Sequence, residues 1–78
     1  MNNKKKIEQP QSDIIEGVVS NCESLRIRAE ASTKSDIVCI VNAGATVLVD
    51  LKESANDFYK VVTEVGAEGF AMSKFIVI

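Results

Sequence analysis

Two arginines one strand period apart, Arg26 and Arg28, stand at the mouth of a polar stretch, Ala29-Glu30-Ala31-Ser32-Thr33-Lys34-Ser35-Asp36. A guanidinium grips a carboxylate through a planar, bidentate fork, so arginines on one outward face suit the free carboxylate of a peptide. An internal partner would use the same fork, and Glu30, Asp36 and Glu68 are the acidic side chains expected to hold the loop that way. Both readings of Arg28 are open at this stage. Asn56 and Asp57 mark a chain reversal, and the adjacent Phe58 and Tyr59 must point to opposite faces of any strand that carries them.

Other chemistry is removed by subtraction. With no histidine in 78 residues, neither a Ser-His-Asp nor a Cys-His arrangement can be built. Cys22 and Cys39 are too far apart for a Cys-x-x-Cys redox pair. Two thiols alone do not make a four-ligand zinc site. The glycines stand singly, so no phosphate-cradling loop is present, and the carboxylates are scattered. The chain is therefore expected to be a non-enzyme without cofactor or metal. A disulfide would need the two Cα atoms within about 7 Å, and the lack of an export signal argues against one. Cys39, in step with Ile37 and Val41, reads as a buried free thiol.

The totals bound the rest. A net charge of −2 leaves no phosphate-neutralising surface, which excludes nucleic acid as the expected partner. Lys4-Lys5-Lys6 is the sole cationic cluster, and it continues into Ile-Glu-Gln-Pro-Gln-Ser-Asp rather than an apolar core of a secretory signal. No run reaches the roughly 20 apolar residues that span a bilayer. As written, the sequence reads as cytoplasmic, and as wall-associated only if released or carried within a longer exported chain. Residues 1–13 read as a disordered tail and residues 14–78 as one domain.

The elements that must position the candidate residues follow a period close to two. Strands are expected at Ile14–Val19, Leu25–Arg28, Ile37–Val41, Thr46–Leu51, Phe58–Thr63 and Gly69–Met72, with a single helical turn over Ser73–Ile76. Gly17 marks a bend or close approach, and Asn42-Ala43-Gly44-Ala45 and Lys52–Asp57 mark reversals. Short strands with reversals every eight to twelve residues predict an all-β fold, a small antiparallel barrel or sandwich. The expected core is Val19, Leu25, Ile27, Ile37, Val41, Val47, Val49, Val61, Phe70, Phe75 and Ile76.

Leu25-Arg26-Ile27-Arg28, Ser32, Ile37-Val38, Gly44, the Val47/Val49 strand, Asn56-Asp57-Phe58-Tyr59-Lys60-Val61 and Gly69-Phe70-Ala71-Met72-Ser73-Lys74-Phe75-Ile76 together resemble a bacterial SH3 domain, over about residues 15–78. The closest likeness is to small stand-alone members. The family pattern Leu-Asn-Val-Arg-Ser/Ala-Gly-Pro-Ser is altered here at Arg26 and at Glu30-Ala31, its Gly-Trp is Asp57-Phe58, and its third-strand glycine is Cys39. The resemblance implies an SH3-like barrel of five to seven short antiparallel strands and a non-catalytic module that binds a peptide or protein segment. A cell-wall stem peptide, held in a groove beside the long loop, is one such ligand. Arg28, Asn56, Phe58, Tyr59 and Phe70 would line that groove, although Phe58 and Phe70 also suit plain packing at the core or barrel edge. Competing readings are a structural or assembly role through exposed sheet edges, and an intracellular phage or host regulator that binds a protein.

Overall fold

The computed structural model describes residues 13–78, so the expected tail lies, apart from Asp13, outside the described residues. Seven strands follow in order: β1 Ile14–Val19, β2 Ser24–Arg28, β3 Ile37–Asn42, β4 Thr46–Ala55, β5 Phe58–Val62, β6 Glu68–Met72 and β7 Ile76–Val77. A 3-10 turn, Ser73–Phe75, precedes β7. All pairings are antiparallel, in one sheet of order β3-β2-β6-β5-β4-β1-β7. The expected all-β architecture, with one helical turn near the C-terminus, is what the chain adopts.

Laid flat, seven strands would span roughly 30 Å from edge to edge. Yet Val19 of β1, Leu25 and Ile27 of β2, Val47 and Val49 of β4, Val61 of β5, Ala71 of β6 and Ile76 of β7 form one buried cluster. Cys39 and Val41 of β3 pack against it from the other end of the sheet. The sheet is therefore rolled into a small barrel around these mostly β-branched side chains, with β3 and β7 as its unjoined edges among the described residues. A tight approach assists the closure. A Cβ on Gly17 would stand 2.6 Å from Ile76 Cγ2, so the missing side chain lets β7 lie against β1.

Ile37 is not in the core, contrary to the sequence expectation; it is 46% exposed. The reason is a bulge. Ile27 pairs with Cys39, but Arg28 pairs with Ile37, so Val38 is an extra residue and the alternation changes phase there. Cys39 and Val41 keep the inward phase while Ile37 turns outward with Arg28. Cys39 is consequently half-buried rather than sealed, and it and Cys22 are free thiols. Phe70, Val41 and Phe75, also expected in the core, are half-buried, whereas Phe58 and Ala71 are buried.

The β4–β5 reversal falls at Asn56 and Asp57 as expected, but the strand that leads into it is longer than the expected Thr46–Leu51. Strand β4 runs on to Ala55, which pairs with Phe58, and only Asn56 and Asp57 make the turn, with φ of +55° and +68°. Two consecutive positive φ values match the twist of a tight hairpin, and Asn and Asp tolerate them best among residues with a Cβ. The surplus residues of β4 between Asp50 and Ala55 bulge out. Asp50 Oδ1 accepts the Lys52 and Glu53 N–H groups at 3.1 and 3.3 Å. Ser54 Oγ donates to the Asp50 carbonyl at 2.9 Å and accepts the Lys60 N–H at 3.0 Å. At the next reversal the buried Thr63 closes the chain on Ala67 through backbone and side chain.

Truncation in the rolled core should be felt strongly. Val47→Ala is expected to lower unfolding free energy by about 2–3 kcal/mol, whereas Ile37→Ala, on the outward side of the bulge, should change it by less than about 0.5 kcal/mol. Urea unfolding followed by circular dichroism separates the two.

Candidate functional site

Strands β2, β6 and β5 set the candidate residues by alternation. Leu25 and Ile27 point inward, so Arg26 and Arg28 point outward; Gly69 and Ala71 point inward, so Phe70 and Met72 point outward. Lys60 shares that outer face, because it pairs with Phe70, and Phe70 pairs in turn with Arg28. The row Arg28, Phe70, Lys60 thus crosses three strands. Lys60 Nζ lies 5.5 Å from the centroid of the Phe70 ring and 3.9 Å from Glu68 Oε1. The ammonium meets the negative face of the ring, while its long ion pair with the exposed carboxylate contributes little.

Arg28 and Phe70 form the pairing recorded between β2 and β6. Continued in register, it would bring Arg26 opposite Met72, but there the strands have parted. A groove of about 150 Å³ opens in the gap, with Cys22, Ser24, Leu25, Arg26 and Arg28 on one side and Met72 and Phe75 on the other. One wall is cationic and the other is a thioether and an aromatic ring. Gly69 sets the point of contact: a Cβ there would sit 2.5 Å from the Arg28 carbonyl oxygen and 2.7 Å from Ile27 Cγ2.

The long loop is tied back to the same arginine. Arg28 Nη1 donates to the Ser35 carbonyl at 3.0 Å, so its internal partner is a backbone oxygen, not Glu30, Asp36 or Glu68. Ser35 Oγ accepts the Glu30 N–H at 3.2 Å and lies 3.1 Å from the Glu30 and Ser32 carbonyls, its available acceptors. Ser32 Oγ accepts the Lys34 N–H, and the Ala29 N–H donates to the Asp36 carbonyl. Two serines, Ser32 and Ser35, thus hold the turn that contains Glu30-Ala31. The loop encloses its own concavity of about 310 Å³, lined by Ala29, Glu30, Ser32, Lys34, Ser35 and Asp36. Arg28 stands between this concavity and the groove.

Of the five residues expected to line a groove, Arg28 and Phe70 are brought together and Arg28 lines the cleft. Phe58 belongs to the same outer face but is only 6% exposed. Tyr59 pairs with Ala71 and packs, half-buried, against the core from the inner side. Asn56 occupies the β4–β5 turn, whose Asp57 carbonyl accepts both the N–H and the hydroxyl of Ser73. Met72, Phe75, Arg26 and Cys22 complete the groove. Met72 was reachable by counting two residues on from Phe70; Cys22 and Phe75 are placed by the barrel closure and had no local signal.

A rolled sheet of short antiparallel strands with a groove beside a long loop defines a small β-barrel recognition module. The profile of the bacterial SH3 domain matches residues 23–77, and the chain belongs to that family. No curated protein matches it. Members of the family are binding domains for peptide, protein or cell-wall ligands. Among the described residues no cluster of potential metal ligands occurs and no helix is long and apolar enough to cross a membrane.

Two substitutions test this geometry. Gly69→Ala should cost about 1–3 kcal/mol, because the added methyl meets backbone that cannot give way cheaply. Ser35→Ala should cost about 1 kcal/mol or less overall but should speed amide exchange at Glu30, whose N–H loses its acceptor, while leaving the β5–β6 amides unchanged.

Proposed function

We propose that the domain recognises an extended peptide, a cell-wall stem peptide in the first instance, in the groove where β2 and β6 part. The observation that carries the reading is the pairing of opposed walls, Arg26 and Arg28 facing Met72 and Phe75 across about 150 Å³. Stem peptides are short and extended and carry free carboxylates, which suit a guanidinium fork. Arg28 spends one of its five N–H donors on Ser35, so the remainder of the fork is free to reach a ligand.

Size separates this from other ligand classes. Pockets for drug-sized molecules and cofactors run to about 300–1,000 Å³; the groove, at about 150 Å³, is half the lower figure, and the adjoining loop concavity of about 310 Å³ only reaches it. The groove holds one peptide residue, with the chain continuing over the loop concavity. Arg28 is proposed to line the groove, with Phe70 beside it on the same outer face. Arg26 and Met72 join them, while the buried Phe58 acts as support beneath the face. Asn56 and Tyr59 serve the hairpin and the core. A wall ligand requires the domain to meet the wall, and a protein segment of the same chemistry would use the same groove inside the cell.

Binding to purified peptidoglycan sacculi, with chemical-shift mapping against synthetic stem peptides, tests the proposal. Shifts should concentrate at Arg26, Arg28, Phe70 and Met72. Arg26→Ala, at an exposed position, should weaken binding by about tenfold, the loss of one charge-assisted hydrogen bond, with stability unchanged. The absence of sacculus binding together with the absence of any shift with stem peptides would sink the wall reading.

A further inference from the structure

The two edges of the rolled sheet are unequal. At one, β7 offers two residues, Ile76–Val77, too few for an incoming strand to pair with. At the other, β3 offers six, Ile37–Asn42, and among the described residues pairs with β2 alone. Edge strands are ordinarily protected by lysine, proline or inward-pointing charge. Ile37-Val38-Cys39-Ile40-Val41-Asn42 has none of these, and Ile37, Val38 and Ile40 are 46, 46 and 57% exposed.

The backbone of β3 is set up for pairing. The Ala43 N–H donates to the Glu23 carbonyl at 3.0 Å, and Leu25 and Ile27 stand opposite Val41 and Cys39. Antiparallel ladders alternate bonded and non-bonded pairs. The amide and carbonyl of Ile40 and the amide of Asn42 therefore face away from β2, with no strand beyond them among the described residues, while the Asn42 carbonyl accepts the Ala45 N–H at 3.1 Å in the following turn.

We infer that β3 pairs antiparallel with β3 of a second copy, across a two-fold axis at Ile40, on a surface separate from the peptide groove. In that register Ile40 faces its own copy, and Val38 faces Asn42. Charge favours a copy over another partner: the strand carries no charged side chain, so its image brings no like charges together, whereas a charged peptide would bury its charges against Ile and Val. The edges favour closure as well. Because β7 is too short to receive β3, pairing cannot run head to tail, and an isologous contact ends at two copies. Extent sets the strength. A six-residue strand is about 20 Å long, and its edge alone buries less than the roughly 1,600 Å² of a standard interface. An apolar cleft of about 200 Å³ lies alongside, between Cys39–Val41 and Thr63–Val65, and Val65 at its rim is 91% exposed. The dimer is accordingly a weak, reversible one.

Sedimentation of the full chain from micromolar to millimolar concentration should show the mass double. In parallel, amide exchange at Ile40 and Asn42, fast in the monomer, should slow as the dimer fills. Ile40→Lys places a charge at the axis and should abolish both effects; circular dichroism confirms that the variant folds. Asn42→Pro removes an outward N–H without adding charge or breaking the β2 ladder, and should weaken the dimer independently. A monomer at every concentration, or a dimer that survives both substitutions with the Ile40 amide still fast, overturns the inference.

Discussion

The Arg28 carbonyl occupies the space where a side chain on residue 69 would have to stand. The β2–β3 hairpin joins the rest of the sheet through that approach, with Arg28 paired to Phe70, and through the apolar side chains that β2 contributes to the shared core. Because the strands meet at one point and then separate, the barrel closes and the groove opens in the same step. The long loop hangs from the same residue by the bond from the Arg28 guanidinium to the Ser35 carbonyl. Closure, cleft and loop are thus set by one glycine and one arginine, and a change at either reaches all three.

Alternation made most of the fold legible. Leu25, Ile27, Val47, Val49 and Val61 follow the period of two and lie in the core, and the adjacent Phe58 and Tyr59 divide between two faces as their positions demand. The reading fails where the period is interrupted. Nothing local marks Val38 as a surplus residue, so Ile37 takes the wrong phase. The β4 bulge is concealed in the same way, because the polar run Lys52–Ser54 leads straight into the Asn56-Asp57 turn and hides the continuation of the strand to Ala55. Arg28 illustrates a different limit. A sequence displays charged partners for an arginine but not carbonyl oxygens, and the carbonyl of Ser35 was the partner used.

Membership of the bacterial SH3 family accounts for the barrel, the helical turn and the position of the loop. It accounts less well for what surrounds the groove. Arg26 and Glu30-Ala31 depart from the family pattern, and both lie at the cleft or in the loop beside it. The packed frame fits the family, while the side chains at the cleft include departures from its pattern. Recognition in such a domain is decided by the few residues the frame exposes, consistent with function residing in sites carried on folds rather than in folds.

The serines that hold the loop, in a chain with Glu30-Ala31 at the Gly-Pro positions of the family pattern, have a consequence for the chain before it folds. Proline restricts a turn covalently, so part of the ordering is already present in the unfolded ensemble. Hydrogen bonds from Ser32 and Ser35 exist only once the loop has formed, and the exposed bonds of that loop can open without disturbing the core. The order of the loop thus rests on exposed side-chain bonds and on its ties at Arg28 and Ala29 rather than on core packing, and whatever rests on the loop draws on those few bonds.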